Sequence, residues 1–134
     1  IRASFERGGC VMIYVEGGRS RSGELGTPRP GVGRAALESG VPVVPLAIHG
    51  SQGIRRWKRF VFPKVTVRYG KPITFDVNPE PTRAEQLACA EEVFGHVRAM
   101  YVELEREGRA SVIKRLREAA RPGAGPAGQR SRYS

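Results

Sequence analysis

The sequence of 134 residues lacks what several classes of protein require. It has no run near the roughly 20 apolar residues of a transmembrane helix, and its first residues do not form a signal peptide. Its two cysteines, Cys10 and Cys89, form no Cys-x-x-Cys pair, so a structural zinc site has no support and a reducing interior is expected. Both are expected to be small buried hydrophobes. Histidine and aspartate are scarce (His49, His96 and Asp76), and we expect no metal site and no resident cofactor.

Positive charge and apolar residues are what the sequence does contain. Lys and Arg number 23 against 13 Asp and Glu, a formal net charge of +10, and 40% of the residues are hydrophobic. That apolar fraction is too high for a disordered chain and too low for a membrane bundle. The length suits one domain. Because residues 1–7 read as the end of a helix, the chain is expected to begin inside that domain.

Two apolar runs, Cys10–Val15 and Val41–Ile48, predict strands that are buried on both faces. A short helix lies between them, and Gly40 is placed to close it. A strand, a helix and a second strand predict a βαβ unit with a right-handed crossover, in an α/β fold with a mostly parallel sheet. Alternation over Val61–Tyr69 predicts a further strand, which Pro63 places at the edge of the sheet.

The C-terminal part has the pattern of helices followed by a tail. Thr82 and Glu85 have the spacing of a capping box, which predicts a long helix from there to about Glu107. One face of it carries an apolar stripe: Leu87, Ala90, Phe94, Val97, Tyr101 and Leu104. Gly108 should end it. A second amphipathic helix is expected over 110–120, with Val112, Ile113 and Leu116 facing inward.

These patterns divide the chain into three parts. Residues 1–81 are expected to form a partial α/β core, and residues 82–120 the C-terminal helices of the same domain. Residues 121–134 are rich in Pro, Gly and Arg and nearly devoid of apolar residues, so we expect a disordered basic tail.

A polar loop, Glu16–Leu25, directly follows the first predicted strand. Ligands of parallel α/β sheets bind at the carboxyl ends of strands, and glycine lets the backbone approach them closely. Arg19 and Arg21 offer forked donors to a phosphate, and Ser20 adds a hydroxyl. Glu16 would repel a phosphate unless it pairs with an arginine or holds the loop through backbone N–H groups. The alternative is a solvated loop with a surface ion pair.

Four blocks in order over residues 8–75 resemble the PlsC-like glycerolipid acyltransferases, the family of 1-acylglycerol-3-phosphate acyltransferases. Val11–Leu25 resembles the family signature FPEGTRSRSG, with Val15 in place of its proline and Gly18 in place of its threonine. The other similar blocks are Pro30–Gly40, Val43–Gly50 and Val65–Ile73. The resemblance implies a partial acyltransferase domain, its C-terminal part.

The resemblance also implies an activity in phospholipid biosynthesis. Such enzymes transfer an acyl chain from acyl-CoA or acyl carrier protein to the hydroxyl of 1-acylglycerol-3-phosphate or a similar lysolipid, at the cytoplasmic side of a membrane. Binding of the acceptor's phosphate is carried over to one run, Glu16, Gly17, Gly18, Arg19, Ser20 and Arg21. An acyl-pocket or fold motif is carried over to Val44, Pro45 and Ile48.

The catalytic pair of that family, a His and an Asp five positions apart, has no match in this sequence. Ile54 lies five residues after His49, and Tyr101 lies five after His96. Because the histidine would take the proton of the acceptor hydroxyl, the chain alone is expected to be inactive. His49 remains a possible site-lining residue at the end of a strand, or a loop histidine bonded to backbone. His96 is expected at the helix boundary or surface.

A basic stretch without any acidic residue extends from Ser39 to Phe75. Cations beside aromatics suit an anionic bilayer surface, and we assign a peripheral membrane contact to Arg55, Arg56, Trp57, Lys58 and Arg59. The same pattern could bind the phosphates of coenzyme A or nucleic acid, or simply keep the protein soluble. Two functions therefore stay open: an acyltransferase, and a noncatalytic phosphate- or nucleic-acid-binding module, with nucleic acid the less favoured partner.

Overall fold

A computed structural model describes residues 1–18, 24–51 and 64–121 of the chain. Four helices and two strands lie in these ranges: α1 (Arg2–Glu6), α2 (Pro30–Ser39), β1 (Leu46–His49), β2 (Thr66–Tyr69), α3 (Arg83–Glu107) and α4 (Arg109–Ala119). The chain divides into two compact units, Ile1–Val102 and Glu103–Ser134. The predicted tail falls on residues 121–134, of which only Arg121 lies within the described residues.

The sheet is a two-stranded antiparallel ribbon, so the expectation of a parallel sheet with a βαβ crossover is wrong for the described residues. Leu46 lies opposite Tyr69, and His49 lies opposite Thr66. β1 pairs with the next strand along the chain rather than with the apolar run before α2. A continuous apolar run favours a parallel sheet, but the direction of a strand is set by its partner, and here the partner is antiparallel.

The first predicted strand is not a strand in the structure. Residues 10–14 lie outside helices and strands, and Met12 and Tyr14 are 69% and 43% exposed. Val11, Ile13 and Val15 are half-buried, so exposure alternates along the segment. The run packs on one side only and pairs with no strand among the described residues, which corrects the prediction of burial on both faces.

A bulge in the ribbon coincides with Pro45. Val43 and Ile73 exchange two backbone hydrogen bonds of 2.8 Å, and the regular pairing resumes at Leu46 and Tyr69. Between these two pairings, Val44 and Pro45 on one side of the ribbon face three residues, 70–72, on the other. Pro45 has no N–H to donate, but its carbonyl oxygen accepts the N–H of Gly70 at 2.8 Å. β1 is shorter than the predicted Val41–Ile48 because the proline interrupts the ladder.

The two faces of the ribbon differ in what covers them. On one face Ala47 is buried in a cluster with Val97 and Met100 of α3, and Tyr101 packs against it. The other face, here called the outer face, carries Val65, Val67 and Tyr69, which are 38%, 46% and 68% exposed. The predicted alternation within Val61–Tyr69 is present, but its apolar side is turned outward; residues 61–63 lie outside the described residues.

α2 follows its sequence signals closely. Pro30 occupies the first turn, where its missing N–H costs nothing, and Gly40 ends the helix in the left-handed conformation with φ +63°. Gly33 is buried on the face toward α3. A Cβ at position 33 would lie well inside the van der Waals contact distance to the Gln86 carbonyl oxygen, so the backbones of the two helices meet there.

α3 begins at the predicted capping box. Thr82 Oγ1 accepts the N–H of Glu85 at 3.3 Å, and Glu85 Oε2 accepts the N–H of Thr82 at 2.7 Å. The helix then runs to Glu107, as predicted. Its stripe is buried at Ala90, Phe94, Val97 and Leu104, half-buried at Tyr101 and exposed at Leu87; Cys89, Val93 and Met100 widen the buried face.

The capping box makes a prediction about pH. The Thr82 N–H bond, followed by its hydroxyl bond, lowers the pKa of Glu85 from its ordinary value of 4.5. A carboxyl whose pKa is lower in the folded than in the unfolded state stabilises the fold at any pH above its unfolded-state pKa. This stabilisation is lost as the pH falls through the folded-state pKa. Glu85→Gln should therefore be less stable than wild type at neutral pH, and the gap should close in acid.

Chemical denaturation at several pH values, followed by far-UV circular dichroism, measures this gap. Glu91→Gln removes the same charge from an exposed position of α3 and is the matched control. Thr82→Ala should cost about 1 kcal/mol at neutral pH. A gap between Glu85→Gln and wild type that stays constant down to strongly acidic pH would show that the carboxylate does not act as a cap.

The second unit contains the end of α3 and α4. Gly108, with φ +75°, ends α3 as predicted, and it is also the N-cap of α4. Leu104 and Val112 are each 1% exposed, whereas Leu116 is 43% exposed, which corrects its predicted inward position. Arg115 forms ion pairs with Glu103 and Glu107 across the turn between the helices. Because Leu116 lies on the exposed part of a short helix, the inward face is narrower than the sequence suggests.

Candidate functional site

The glycine-rich loop is closed at its neck by backbone. The N–H of Arg29 donates to the carbonyl oxygen of Val15 at 2.8 Å, which joins the two ends of the loop immediately before α2. A tight turn starts the loop, where the N–H of Gly17 donates to the carbonyl oxygen of Tyr14 at 2.9 Å. Gly17 has φ +76°, a conformation that side chains disfavour. The turn and the neck together fix where the loop leaves and rejoins the fold.

The side chain of Glu16 links the two ends of the loop. Its Oε2 atom accepts the N–H of Gly26 at 2.5 Å, ten residues along the chain. A Cβ at Gly26 would come within 2.8 Å of that oxygen, so glycine is needed for this approach. The carboxylate of Glu16 thus accepts a hydrogen bond from the loop backbone, which is one of the two roles predicted for it from the sequence; the other was an ion pair with an arginine.

Arg29 lies across the start of the loop. Its Nε donates to the carbonyl oxygen of Glu16 at 3.3 Å. A Cβ at Gly17 would be 2.5 Å from Arg29 Cδ and 2.9 Å from Nε, so the arginine stem occupies the space that a side chain there would need. Glycine at position 17 therefore has two roles: it adopts the positive φ of the turn, and it leaves space for the side chain of Arg29.

The remaining loop residues of the predicted site are only partly described. Gly18 is exposed, and a Cβ there would meet nothing within 4 Å. Arg19, Ser20 and Arg21 lie outside the described residues. Their assignment to phosphate binding stays a prediction.

The second predicted motif belongs to the ribbon. Val44 is 48% exposed, Pro45 is buried, and Ile48 is half-buried. Ile48 pairs with Val67, so it lies on the outer face of the ribbon. Their role in an acyl pocket stays a prediction.

His49 faces α3. Its ring centroid is 5.3 Å from that of Tyr101, with the ring planes inclined by 59°. Thr66, paired with His49 across the ribbon, has a buried Oγ1 atom without a hydrogen-bond partner among the described residues. His49 is half-buried and His96 is exposed, so the two histidines lie in different environments.

The other singled-out side chains take separate places. Cys89 is buried, which raises the pKa of its thiol, but Cys10 is exposed, contrary to expectation, because its segment pairs with no strand. The basic stretch Arg55–Arg59 lies outside the described residues. Within the described ranges, no cluster of three or more His, Cys, Asp or Glu side chains could hold a metal ion. No helix in those ranges is both long and apolar enough to cross a bilayer.

Arg29 is the functional candidate that sequence reasoning missed. The first predicted site ended at Arg21, yet the structure brings Arg29 to Glu16 and Gly17. The available signal was its place directly before Pro30, at the point where a loop must close to start a helix. Because the Val15–Arg29 bond brings the two ends of the loop together, a cation at its end lies close to its beginning.

Comparison with known proteins gives one match. The model of the family described as Acyltransferase matches residues 1–49, a segment that includes α1, the loop with its neck, α2 and β1. No curated protein and no solved structure matches the chain. The resemblance found in the motifs is therefore confirmed over residues 1–49, the segment that the acyltransferase family model matches.

Proposed function

We propose that the chain supplies the acceptor-binding part of an acyltransferase of phospholipid biosynthesis. The reaction is transfer of an acyl chain from acyl-CoA or acyl carrier protein to the hydroxyl of 1-acylglycerol-3-phosphate or a similar lysolipid. An ester forms, the thioester breaks, and the hydroxyl proton leaves with the thiol of the donor. The observation that carries the proposal is the loop held by Glu16, within the segment that matches the acyltransferase family.

The role of the loop is to bind and orient the phosphate of the acceptor. The Glu16–Gly26 bond and the Val15–Arg29 neck fix the two described ends of the loop, and Arg19, Ser20 and Arg21 lie between those ends in the sequence. A guanidinium matches two phosphate oxygens at once, which sets orientation as well as affinity. Fixing the phosphate in this way restricts where the acceptor hydroxyl can lie.

No His and Asp in this sequence have the spacing of the family's proton-accepting pair. Neither His49 nor His96 has an aspartate five positions on, and the ring of His49 packs against Tyr101. With lysophosphatidate and acyl-CoA, the chain alone is expected to give no transfer above the uncatalysed rate. Turnover at a rate ordinary for enzymes would show that another residue, with His49 first to be tested, acts as the base.

Arg19→Ala tests the binding role. We expect it to weaken binding of lysophosphatidate by about tenfold or more, the loss of one charge-assisted contact, and to leave monoacylglycerol binding unchanged because that lipid has no phosphate. Isothermal titration below the micelle concentration measures both. Arg34→Ala, which removes an exposed arginine paired with Glu38 on α2, is the control. Equal affinities for all three proteins would remove Arg19 from the site.

The membrane and polyanion proposals have their own test. An anionic bilayer contact through Arg55, Trp57 and their neighbours should make vesicle binding depend on anionic lipid. Vesicles without anionic lipid give the comparison. The noncatalytic alternative rests on the net charge of +10 and would show as salt-sensitive binding of DNA or RNA with no preference for lysophospholipid.

A further inference from the structure

Arg29, at the neck of the loop, is anchored by a hydrogen bond and has no carboxylate partner among the residues that the structure describes. Arginine carries five N–H donors, and the Nε of Arg29 uses one of them on the Glu16 carbonyl oxygen. Within the described residues, no carboxylate forms an ion pair with its guanidinium. The contrast is Arg34, five residues on, whose Nε is paired with the carboxylate of Glu38 at 2.6 Å.

The surroundings hold Arg29 in one place. Its backbone N–H is bonded to Val15, its Nε is bonded to Glu16, and its stem fills the space above Gly17. The Oε2 atom of Glu16 accepts the N–H of Gly26, so the contact of Arg29 with Glu16 is to its backbone oxygen. A long side chain with its stem already ordered loses less entropy when its head binds a ligand than a free one does.

We propose that Arg29 is a second anion-binding residue of the loop, whose terminal N–H groups bind a phosphate monoester. This rests on the proposed function and extends it, because it assigns the phosphate to a residue outside the signature run. Four donors remain on the terminal nitrogens, enough for bidentate contact with two phosphate oxygens. Gly17 has a specific part in this site, since any side chain at that position would displace the arginine.

The test compares three variants by titration with inorganic phosphate, glycerol 3-phosphate and lysophosphatidate at constant ionic strength. Arg29→Gln should weaken binding of all three by about tenfold, since it removes the charge-assisted contact. Arg29→Lys keeps the charge but loses the fork and should recover only part of the affinity. Arg34→Gln, which removes the same charge from α2, the helix that Arg29 precedes, should bind like wild type.

Loop integrity is read separately by amide NMR. The shift of the Gly26 N–H reports its bond to Glu16, and this bond should persist in Arg29→Gln. If Arg29 only closes the loop, the Gly26 amide shift changes in Arg29→Gln. Arg29→Lys then binds the three phosphates as weakly as Arg29→Gln does. That result overturns the proposal.

The outcomes also separate this inference from the proposed function. If wild type binds none of the three phosphates, both fail. If wild type binds and Arg29→Gln matches Arg34→Gln, the phosphate loop stands and Arg29 is not part of it. If lysophosphatidate binds and the two soluble phosphates do not, the lipid chain carries the affinity, and Arg29 loses its role as an anion site.

Discussion

Replacing Gly33 with alanine is expected to destabilise the first unit by about 3 kcal/mol, one of the two largest effects that the structure predicts. The added methyl group would overlap the carbonyl oxygen of Gln86 and crowd the backbone nitrogen of Ala90. Neither neighbour is a flexible side chain, so α2 must move away from α3. The loop neck precedes α2 directly and would shift with it. Denaturant unfolding followed by far-UV circular dichroism measures the loss.

Gly31→Ala is the matched control for that substitution. It lies two residues earlier in the same helix, is exposed, and a Cβ there would meet nothing within 4 Å. Alanine is a better helix former than glycine, so this variant should be as stable as wild type or up to about 1 kcal/mol more stable. If the two variants unfold at the same denaturant concentration, close backbone packing at Gly33 is absent in solution.

Truncating Leu104 to alanine should cost about 2–5 kcal/mol, because the leucine is 1% exposed and its removal leaves a cavity. The position lies near the end of α3, in the second unit, where few other large side chains are fully buried. Unfolding of the helices in that unit should therefore occur at a lower denaturant concentration. Hydrogen exchange of the amides of α4 reads the local effect alongside the global transition.

Leu116→Ala makes the same chemical change on α4 at a residue that is 43% exposed. It should alter the unfolding free energy by no more than about 0.5 kcal/mol. A loss at Leu116 equal to that at Leu104 would mean that the apolar face of α4 is covered in solution. The sequence-based assignment of Leu116 to the inward face would then be right after all.

The helices could be predicted because their ends carry local chemistry. Thr82 with Glu85, Gly40 and Gly108 each act through hydrogen bonds or a backbone conformation within a few residues of themselves. Such signals do not depend on the rest of the fold. The exposure of Leu87 and Leu116 could not be predicted, because helical periodicity gives the direction of a side chain but not what covers it.

The strands were harder for a related reason. Cys10–Val15 and Leu46–Ile48 are both continuous apolar runs, yet among the described residues only the second pairs with another strand. Pairing needs a partner at long range, and the partner of β1 is Thr66–Tyr69, beyond the basic stretch. Alternation placed Val67 and Tyr69 on one side of β2, but it could not show that the half-buried side is the other one, which holds Thr66 and Arg68.

The candidate site was predicted in part. A structural role for Glu16 follows from chemistry alone, because an unpaired carboxylate would repel phosphate. Its partner Gly26 could not be identified, since the bond spans ten residues and depends on how the loop folds back. Arg29 was missed for the same reason: its approach to Gly17 follows from the closure of the neck.

The outer face of the ribbon has a consequence for how the purified protein behaves. At low ionic strength a net charge of +10 keeps copies apart by mutual repulsion. Added salt shortens the reach of that repulsion to about 3 Å at 1 M, but it does not weaken attraction between apolar surfaces. Turbidity should therefore grow with sodium chloride, and the protein should be concentrated in dilute buffer, where like charges protect Val65, Val67 and Tyr69 from meeting their counterparts on another copy.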